Sequence, residues 1–310
     1  MNLRAFTQVD VFTTTAYLGN PVAVVLDGQD LSDADMQRFA RWTQLSETTF
    51  VTPPSAAARA AGADYRVRIF TPGGELPFAG HPTLGTAHAW REAGGQTQDA
   101  SGIVQECSVG LVRLKPFANA WAFAAPPMER RHPSEEELKA VAAALGLSPS
   151  EIWASQHLNN GPHWLGLWLD EPDTVLRLQP DHNALKHLGI KVGVAARYPR
   201  QEQAPLIGRS NREARAFDRS SGPRQKAEST DLEVRAFAAP IGIHEDPVTG
   251  SLNASLAQWL IAEGCMPPSY VASQGAALGR AGRVLISQDA SGQVWVGGHT
   301  VTCITGQVVL

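Results

Sequence analysis

What the chain has little of narrows the field first. Only three cysteines, Cys107, Cys265 and Cys303, stand in its 310 residues, odd in number and far apart. That excludes a disulfide scaffold and a paired-thiol zinc site, and it fits a reducing, cytoplasmic setting. No run of about 18 apolar residues occurs, so no segment reads as a membrane-spanning helix. The opening "MNLRAFTQVDVF" alternates polar and apolar residues as a strand does, and it has no signal-peptide core. Basic charge is not in excess. A formal net charge of −4 makes nucleic acid and anionic membranes poor candidates for partners. The nine histidines form no HxxxH or HxH set, so no metal is expected. Neither a Walker A loop, a dinucleotide fingerprint nor a G-x-S-x-G elbow is present, so no nucleotide cofactor is expected either.

What is there reads as an ordinary globular protein. A hydrophobic share of 43% with 18% charged residues supplies a sizeable core, as two domains or one large one. Strands and helices mix without strict βαβ alternation, which predicts an α+β fold. "QVDVF", "NPVAVVL", "LSETTFV", "YRVRIFTP", "GPHWLGLWL", "LEVRAFAAP", "RVLIS", "QVWVGG" and "VTCITGQVVL" read as strands. A helix is expected after Ser32, with Asp35 at its third position and Leu31 and Met36 as a hydrophobic staple. Ser134 with Glu137 predicts a capping box before a helix carrying Leu138, Val141, Ala142 and Leu145, which Gly146 stops. The Arg-rich stretch from Arg197 to Thr230 has neither period and reads as a solvated surface loop.

One unit occurs twice. "RIFTPGGELPFAGHPTLGTAHAW" (68–90) is answered by "RAFAAPIGIHEDPVTGSLNASLAQW" (235–259). Each has Arg-x-Phe at the end of a strand, a Pro/Gly loop, then a glycine and a helix that reaches a Trp, which suggests a duplicated unit. The helices are nearly uncharged. From Pro82 to Ala93 the first charge is Arg91, and from Ser251 onward the first is Glu263; Gly94 and Gly264 terminate them. A helix that is apolar or small all round must be wrapped by other protein. Its first turn still has unpaired N–H groups with partial positive charge, so two such mouths could hold a carboxylate. His81 edges the first mouth; Asp246 and Ser251 edge the second.

On these residues the chain resembles the phenazine-biosynthesis-like PhzF family, a branch of the diaminopimelate-epimerase-like superfamily. The resemblance begins with "QVDVFTTTAYLGNPVAVVLD" and runs through "LSETTFV", "RIFTPGGELPFAGHPTLGTAH", "NGPHWLGL" and "RAFAAPIGIHEDPVTGSL" to "SQGAALGRAGRV" and "VWVGGH". It implies two pseudo-symmetric lobes, each a mixed β-barrel wrapped around a central helix. One lobe comprises residues 1–122 plus 296–310, the other 124–295, and the active site lies in the cleft between them. It implies Glu47 as the acid/base, with His81 and Asp246 as further catalytic residues. Gly80, Gly250 and Ser251 are placed at the substrate, as is Gly73 in the loop before the first helix. A homodimer is implied as well.

Departures from the family pattern are visible too. Epimerases of the superfamily carry a cysteine at each helix mouth, and the corresponding positions here are expected at Ala79 and Pro247. The pair Leu252-Asn253 replaces a small residue and is expected to reshape the pocket floor. The stretch 200–228 resembles an insertion. Residues His88 and His163 are expected to pack or to sit in loops.

The expected function is a cofactor-free isomerase that moves a proton on a small carboxylate, for which the family's type reaction is isomerisation of trans-2,3-dihydro-3-hydroxyanthranilate. Two alternatives stand beside it. A non-enzymatic or regulatory carboxylate-binding protein has Glu47 against it, because anion binding disfavours a negative side chain. An epimerase would need a second base opposite Glu47, for which His81 is the candidate.

Overall fold

A computed structural model of the protein describes residues 2–117, 119–199 and 230–310. The stretch 200–228 lies outside the described residues. The fold is mixed α+β, and the eighteen strands among the described residues join one large sheet.

The chain begins with β1 (Leu3–Val11), β2 (Asn20–Val25), α1 (Asp33–Thr43) and β3 (Thr48–Thr52). It continues through α2 (Ala56–Ala60), β4 (Tyr65–Thr71), β5 (Gly74–Leu76), α3 (Gly80–Glu92), β6 (Ile103–Cys107), β7 (Gly110–Phe117) and β8 (Ala120–Ala124). After β9 (Glu129–Arg131) and α4 (Glu135–Leu145) come β10 (Ile152–Asn159), β11 (His163–Leu169), α5 (Pro172–Arg177) and α6 (His182–Leu188). Then follow β12 (Val192–Arg197), β13 (Leu232–Ala238), β14 (Ile243–Asp246) and α7 (Gly250–Ala262). The chain closes with β15 (Ser269–Gln274), β16 (Gly282–Gln288), β17 (Val294–Gly298) and β18 (Thr300–Val309).

Strand pairing repeats. In the first half β1 and β2 are antiparallel, β2 and β3 parallel across α1, and β3 and β4 antiparallel. β5 folds back on β4, and β6 runs parallel to β4 after the α3 crossover, with β7 and β8 following as a meander. The second half repeats this scheme. β10, β11, β12 and β13 take the places of β1 to β4, while β14, α7, β15, β16 and β17 take those of β5, α3, β6, β7 and β8. Antiparallel pairing of β8 with β17 joins the halves, with Phe123 opposite Val296. The strand after each meander crosses to the other half: β9 pairs with β10, and β18 returns to β1 along its whole length.

The nearly uncharged helices are enclosed, as their composition requires. α3 packs against β1, β2, β3, β4, β8 and β18, and α7 against β10, β16 and β17. The polar side chains of α3 are bonded inside the core, which keeps their burial from being costly. Thr86 donates to Thr49 at 2.8 Å, and Thr83 accepts from Gln105 at 2.9 Å. Both helices begin earlier than their sequences suggest, at Gly80 and Gly250, because Pro82 and Ser251 occupy the first turn rather than its threshold.

The other helix starts match in part. Ser32 accepts from the Asp35 N–H and Ser134 from the Glu137 N–H. Glu137 does not close the expected capping box. Its carboxylate turns to Nε2 of His157 at 2.9 Å, a partner on β10 that local sequence could not reveal.

Candidate active site

The two helix mouths touch. A Cβ added to Gly250 would stand 3.1 Å from Cα of Gly80 and 3.3 Å from the His81 nitrogen. One added to Gly80 would lie 2.6 Å from the Phe123 ring and 3.2 Å from Cα of Gly250. Glycine at both positions therefore permits the close approach of two backbones. It brings two sets of first-turn N–H groups, each the positive end of a helix dipole, to one place. Neither helix has a side-chain cap; Ala79 and Thr249 precede their first residues. The residue matching Ala79 across the repeat is thus Thr249, two positions after the expected Pro247, since the helices align by their glycines.

Around this junction the structure gathers Glu47, His81, Asp246 and Ser251. Glu47 directly precedes β3, so its side chain leaves the sheet at the strand's beginning. Its Oε2 faces Nε2 of His81 at 3.3 Å, with side chains 13% and 6% exposed. The two atoms lack hydrogen-bond alignment, and neither has another partner. Two buried, unsatisfied polar atoms facing each other are costly unless something else completes them. Burial drives both groups toward neutrality. It pushes the Glu47 carboxyl up to about 7, with the neighbouring Ser46 side chain acting in the opposite direction. It pushes His81 down to about 4, against the nearby Asp246 charge and the Pro21 carbonyl.

Asp246, the last residue of β14, is held in place from several sides. Asn20 at the start of β2 donates to its Oδ1 at 2.9 Å and to the Val248 carbonyl at 2.9 Å. The same amide nitrogen lies 3.4 Å from Nδ1 of His81. Thr249 donates its hydroxyl to Oδ2 of Asp246 at 2.6 Å. Gln274 donates to that hydroxyl and to the Asp246 carbonyl, while its own oxygen accepts from the Thr249 N–H and from Asn253. Burial raises the Asp246 carboxyl, His81 opposes the rise and the neighbouring Glu47 adds to it. The carboxylates of Glu47 and Asp246 thus flank one neutral imidazole.

Other expectations resolve individually. Ser251 lies in the first turn of α7; its hydroxyl accepts from the Trp164 indole at 3.2 Å and its carbonyl from Asn160 at 3.0 Å. Glu245 turns away from Asp246 to form a two-pronged pair with Arg235. Leu252 packs on Gly193 and Asn253 joins the Gln274 network, so both are spent inside the core rather than on a pocket floor. No hydrogen bond brings Gly73 into the cluster. It lies in the turn between β4 and β5 with its N–H on the Thr71 hydroxyl. His88 packs between Thr300 and Thr302. Sequence reasoning gave no role to Asn20 or Gln274. A polar residue just before Pro21 at the head of an apolar strand, and one just before Gly275, were the available signals.

The family profile described as "Phenazine biosynthesis-like protein" matches residues 9–306, and the chain belongs to that family as an isomerase of its type. It is 34% identical to "Antisense-enhancing sequence 1" of Schizosaccharomyces pombe over 99% of both chains. It is 31% identical to a trans-2,3-dihydro-3-hydroxyanthranilate isomerase of Pseudomonas fluorescens, over 99% of this chain and 100% of the relative. A solved PhzF-family phenazine biosynthesis protein of Bacillus anthracis superposes with a TM-score of 0.78 at 22% identity, with 100% of both chains covered. No helix among the described residues is long and apolar enough to cross a membrane.

Proposed function

We propose that the protein moves a proton between two carbons of a small carboxylate substrate, without a cofactor, with Glu47 as the acid/base. In this reading residues 1–122 plus 296–310 and residues 124–295 form two lobes around α3 and α7, working in the cytoplasm as a homodimer. The repeated strand pairing and the enclosure of both helices support the lobes. The substrate carboxylate docks on the N–H groups of the two mouths beside Ser251, where backbone dipoles replace water. Glu47 removes a proton and returns it to another carbon on the same face. His81, neutral near pH 7, and Asp246, kept in register by Asn20 and Thr249, stabilise the charge that develops.

The observation that carries this reading is the facing pair of unpartnered atoms, Glu47 Oε2 and His81 Nε2, at the junction of the two mouths. A carboxyl raised to about 7 can both take and give a proton near neutrality. The same pair argues against epimerisation by Glu47 and His81. Groups 3.3 Å apart stand on one side of a bound carbon, not on opposite faces. A pure anion binder has no use for a carboxylate at that position.

The test is solvent deuterium incorporation into trans-2,3-dihydro-3-hydroxyanthranilate and a panel of cyclic and amino-acid carboxylates, read by mass spectrometry. On an accepted substrate Glu47→Gln should retain binding and lose roughly 10²- to 10⁴-fold or more in exchange rate. The acidic limb of the wild-type rate should fall as pH drops through about 7, because the base must be ionised. Exchange by Glu47→Gln at the wild-type rate would remove Glu47 from the mechanism.

A further inference from the structure

The repeat of the sheet pairs Glu47 with a residue the mechanism does not use. In the first half the Glu47 carbonyl accepts from the Ala23 N–H, and Thr48, the next residue, is registered opposite Ala23. In the second half the Lys191 carbonyl accepts from the Leu165 N–H, and Val192, the next residue, is registered opposite Leu165. Lys191 therefore leaves the sheet where Glu47 does, at the head of the parallel strand next to a helix mouth.

Lys191 lines a cavity of about 340 Å³ with Arg131, Glu137, His157, His163 and Trp164. A smaller space of about 130 Å³ adjoins it and shares Arg131, His157 and His163. The lining is cationic. The one carboxylate lining the larger space, Glu137, is engaged with His157, and Glu129 lines the smaller. Among the described residues no carboxylate lies within ion-pair distance of Lys191 or Arg131, and the Lys191 ammonium rests 4.8 Å from the Trp164 ring centroid. Burial pulls the Lys191 pKa down, and the charge of Asp246 opposes this. His157 is 3% exposed, and its Nδ1 has no partner. With Nε2 held by a carboxylate, this imidazole donates from Nδ1 to an anion only in its doubly protonated form, so Lys191 and Arg131 are the cavity's fixed cationic donors. The cavity also adjoins the mouth of α7, because the Trp164 indole that forms its wall donates to Ser251.

We propose that this cavity receives a second anionic group of the substrate, so that the enzyme acts on small dianions, with one carboxylate at the helix mouths and a carboxylate or phosphate between Lys191 and Arg131. The proposal rests on the reading of the mouths as the first carboxylate site. Lys191 is the specificity-determining residue, supplying a charge-assisted contact that a monoanion cannot use. Butyrate, glutarate and the phosphonate analogue of glutarate differ only in the far group, which makes them suitable probes.

Calorimetric titration at constant ionic strength should show a dianion binding wild type roughly 10- to 100-fold more tightly than butyrate. Whichever dianion gains more identifies carboxylate or phosphate as the preferred group. Lys191→Met, which keeps the stem against Trp164, should erase the margin and leave butyrate unchanged. Arg131→Gln should reduce the margin, with circular dichroism confirming that both variants are folded. No margin in wild type, or a margin that survives both substitutions, overturns the proposal. His81→Ala separates the two readings, because it should weaken all three ligands and spare the margin. If the margin depends on Lys191 while no ligand responds to His81→Ala, the cavity is an anion site unconnected to the mouths, and a substrate role for it is overturned.

Discussion

The Arg-x-Phe motif occurs in both halves of the molecule and builds the same object twice. Arg68 forms a two-pronged pair with Glu75 and lies over Phe70 at 5.1 Å; Arg235 does the same with Glu245 and lies over Phe237 at 5.0 Å. Their surroundings differ. The first pair is 18% and 32% exposed, and its third partner, Asp33, is 83% exposed. The second is 5% and 7% exposed. Helix α5 covers it, and Arg235 also donates to the carbonyls of Val175 and Leu178. One local motif therefore yields a solvent-screened ion pair in one half and a buried structural clamp in the other. Glu245 is the immediate neighbour of Asp246, so the clamp holds the strand that carries a site carboxylate. The comparison teaches that duplication conserves geometry, while burial decides what the geometry is worth.

The sharpest way to break this comparison is to truncate both arginines. Arg235→Ala leaves a buried carboxylate and the carbonyls of Val175, Leu176 and Leu178 without this donor, and should cost about 3–5 kcal/mol in urea unfolding. Arg68→Ala provides the other end of the scale, below.

Glu47 offers the next largest effect, and its sign depends on pH. Its folded-state pKa, about 7, lies above the ordinary 4.5. Stability from the protonated form is therefore complete below the ordinary value and is lost as pH rises to about 7. Glu47→Gln should stabilise the protein by about 3 kcal/mol near pH 8 and change little near pH 4. An equal effect at both pH values would mean that Glu47 is not buried as a carboxylate.

Smaller losses are expected where the halves meet. Gly250→Ala inserts a Cβ against the backbone of Gly80 and His81, whereas Gly80→Ala presses chiefly on the Phe123 ring. Each should cost about 1–3 kcal/mol. Because backbone yields less readily than a ring, Gly250→Ala should be the worse, as thermal denaturation of both would show. Arg68→Ala comes last, at about 0–1 kcal/mol and shrinking with added salt. A loss there matching that of Arg235→Ala would erase the distinction between the halves.

Much of the fold was legible because the strongest signals are local. The strand at "NPVAVVL", the N-cap Ser32 and the glycines ending the helices depend on neighbours a few residues away. The strands at 103–107, 152–159, 192–197 and 269–274 escaped notice. They carry polar residues whose partners are distant, such as Gln105 on Thr83 and Gln274 on Thr249. The capping-box expectation at Glu137 failed for the same reason, since His157 outcompeted the local N–H. Asn20, His81 and Asp246 were each visible as polar residues beside apolar segments, but their contact was not.

The sequence by itself determined two nearly uncharged helices, the glycines at their mouths and the inventory of acid–base groups beside them. These follow from residue type and short-range periodicity, which hold in any compact arrangement of the chain. The tertiary structure alone decided that the mouths converge on one another, that Glu47 faces His81 and that Lys191 takes the mirrored place in the other half. It also decided that Glu47 titrates near neutrality and that the two Arg–Glu pairs differ. Those outcomes depend on desolvation, and desolvation depends on what packs above a residue from hundreds of positions away. Asn20, which reaches Asp246 across 226 residues of sequence, shows how little of that is written locally.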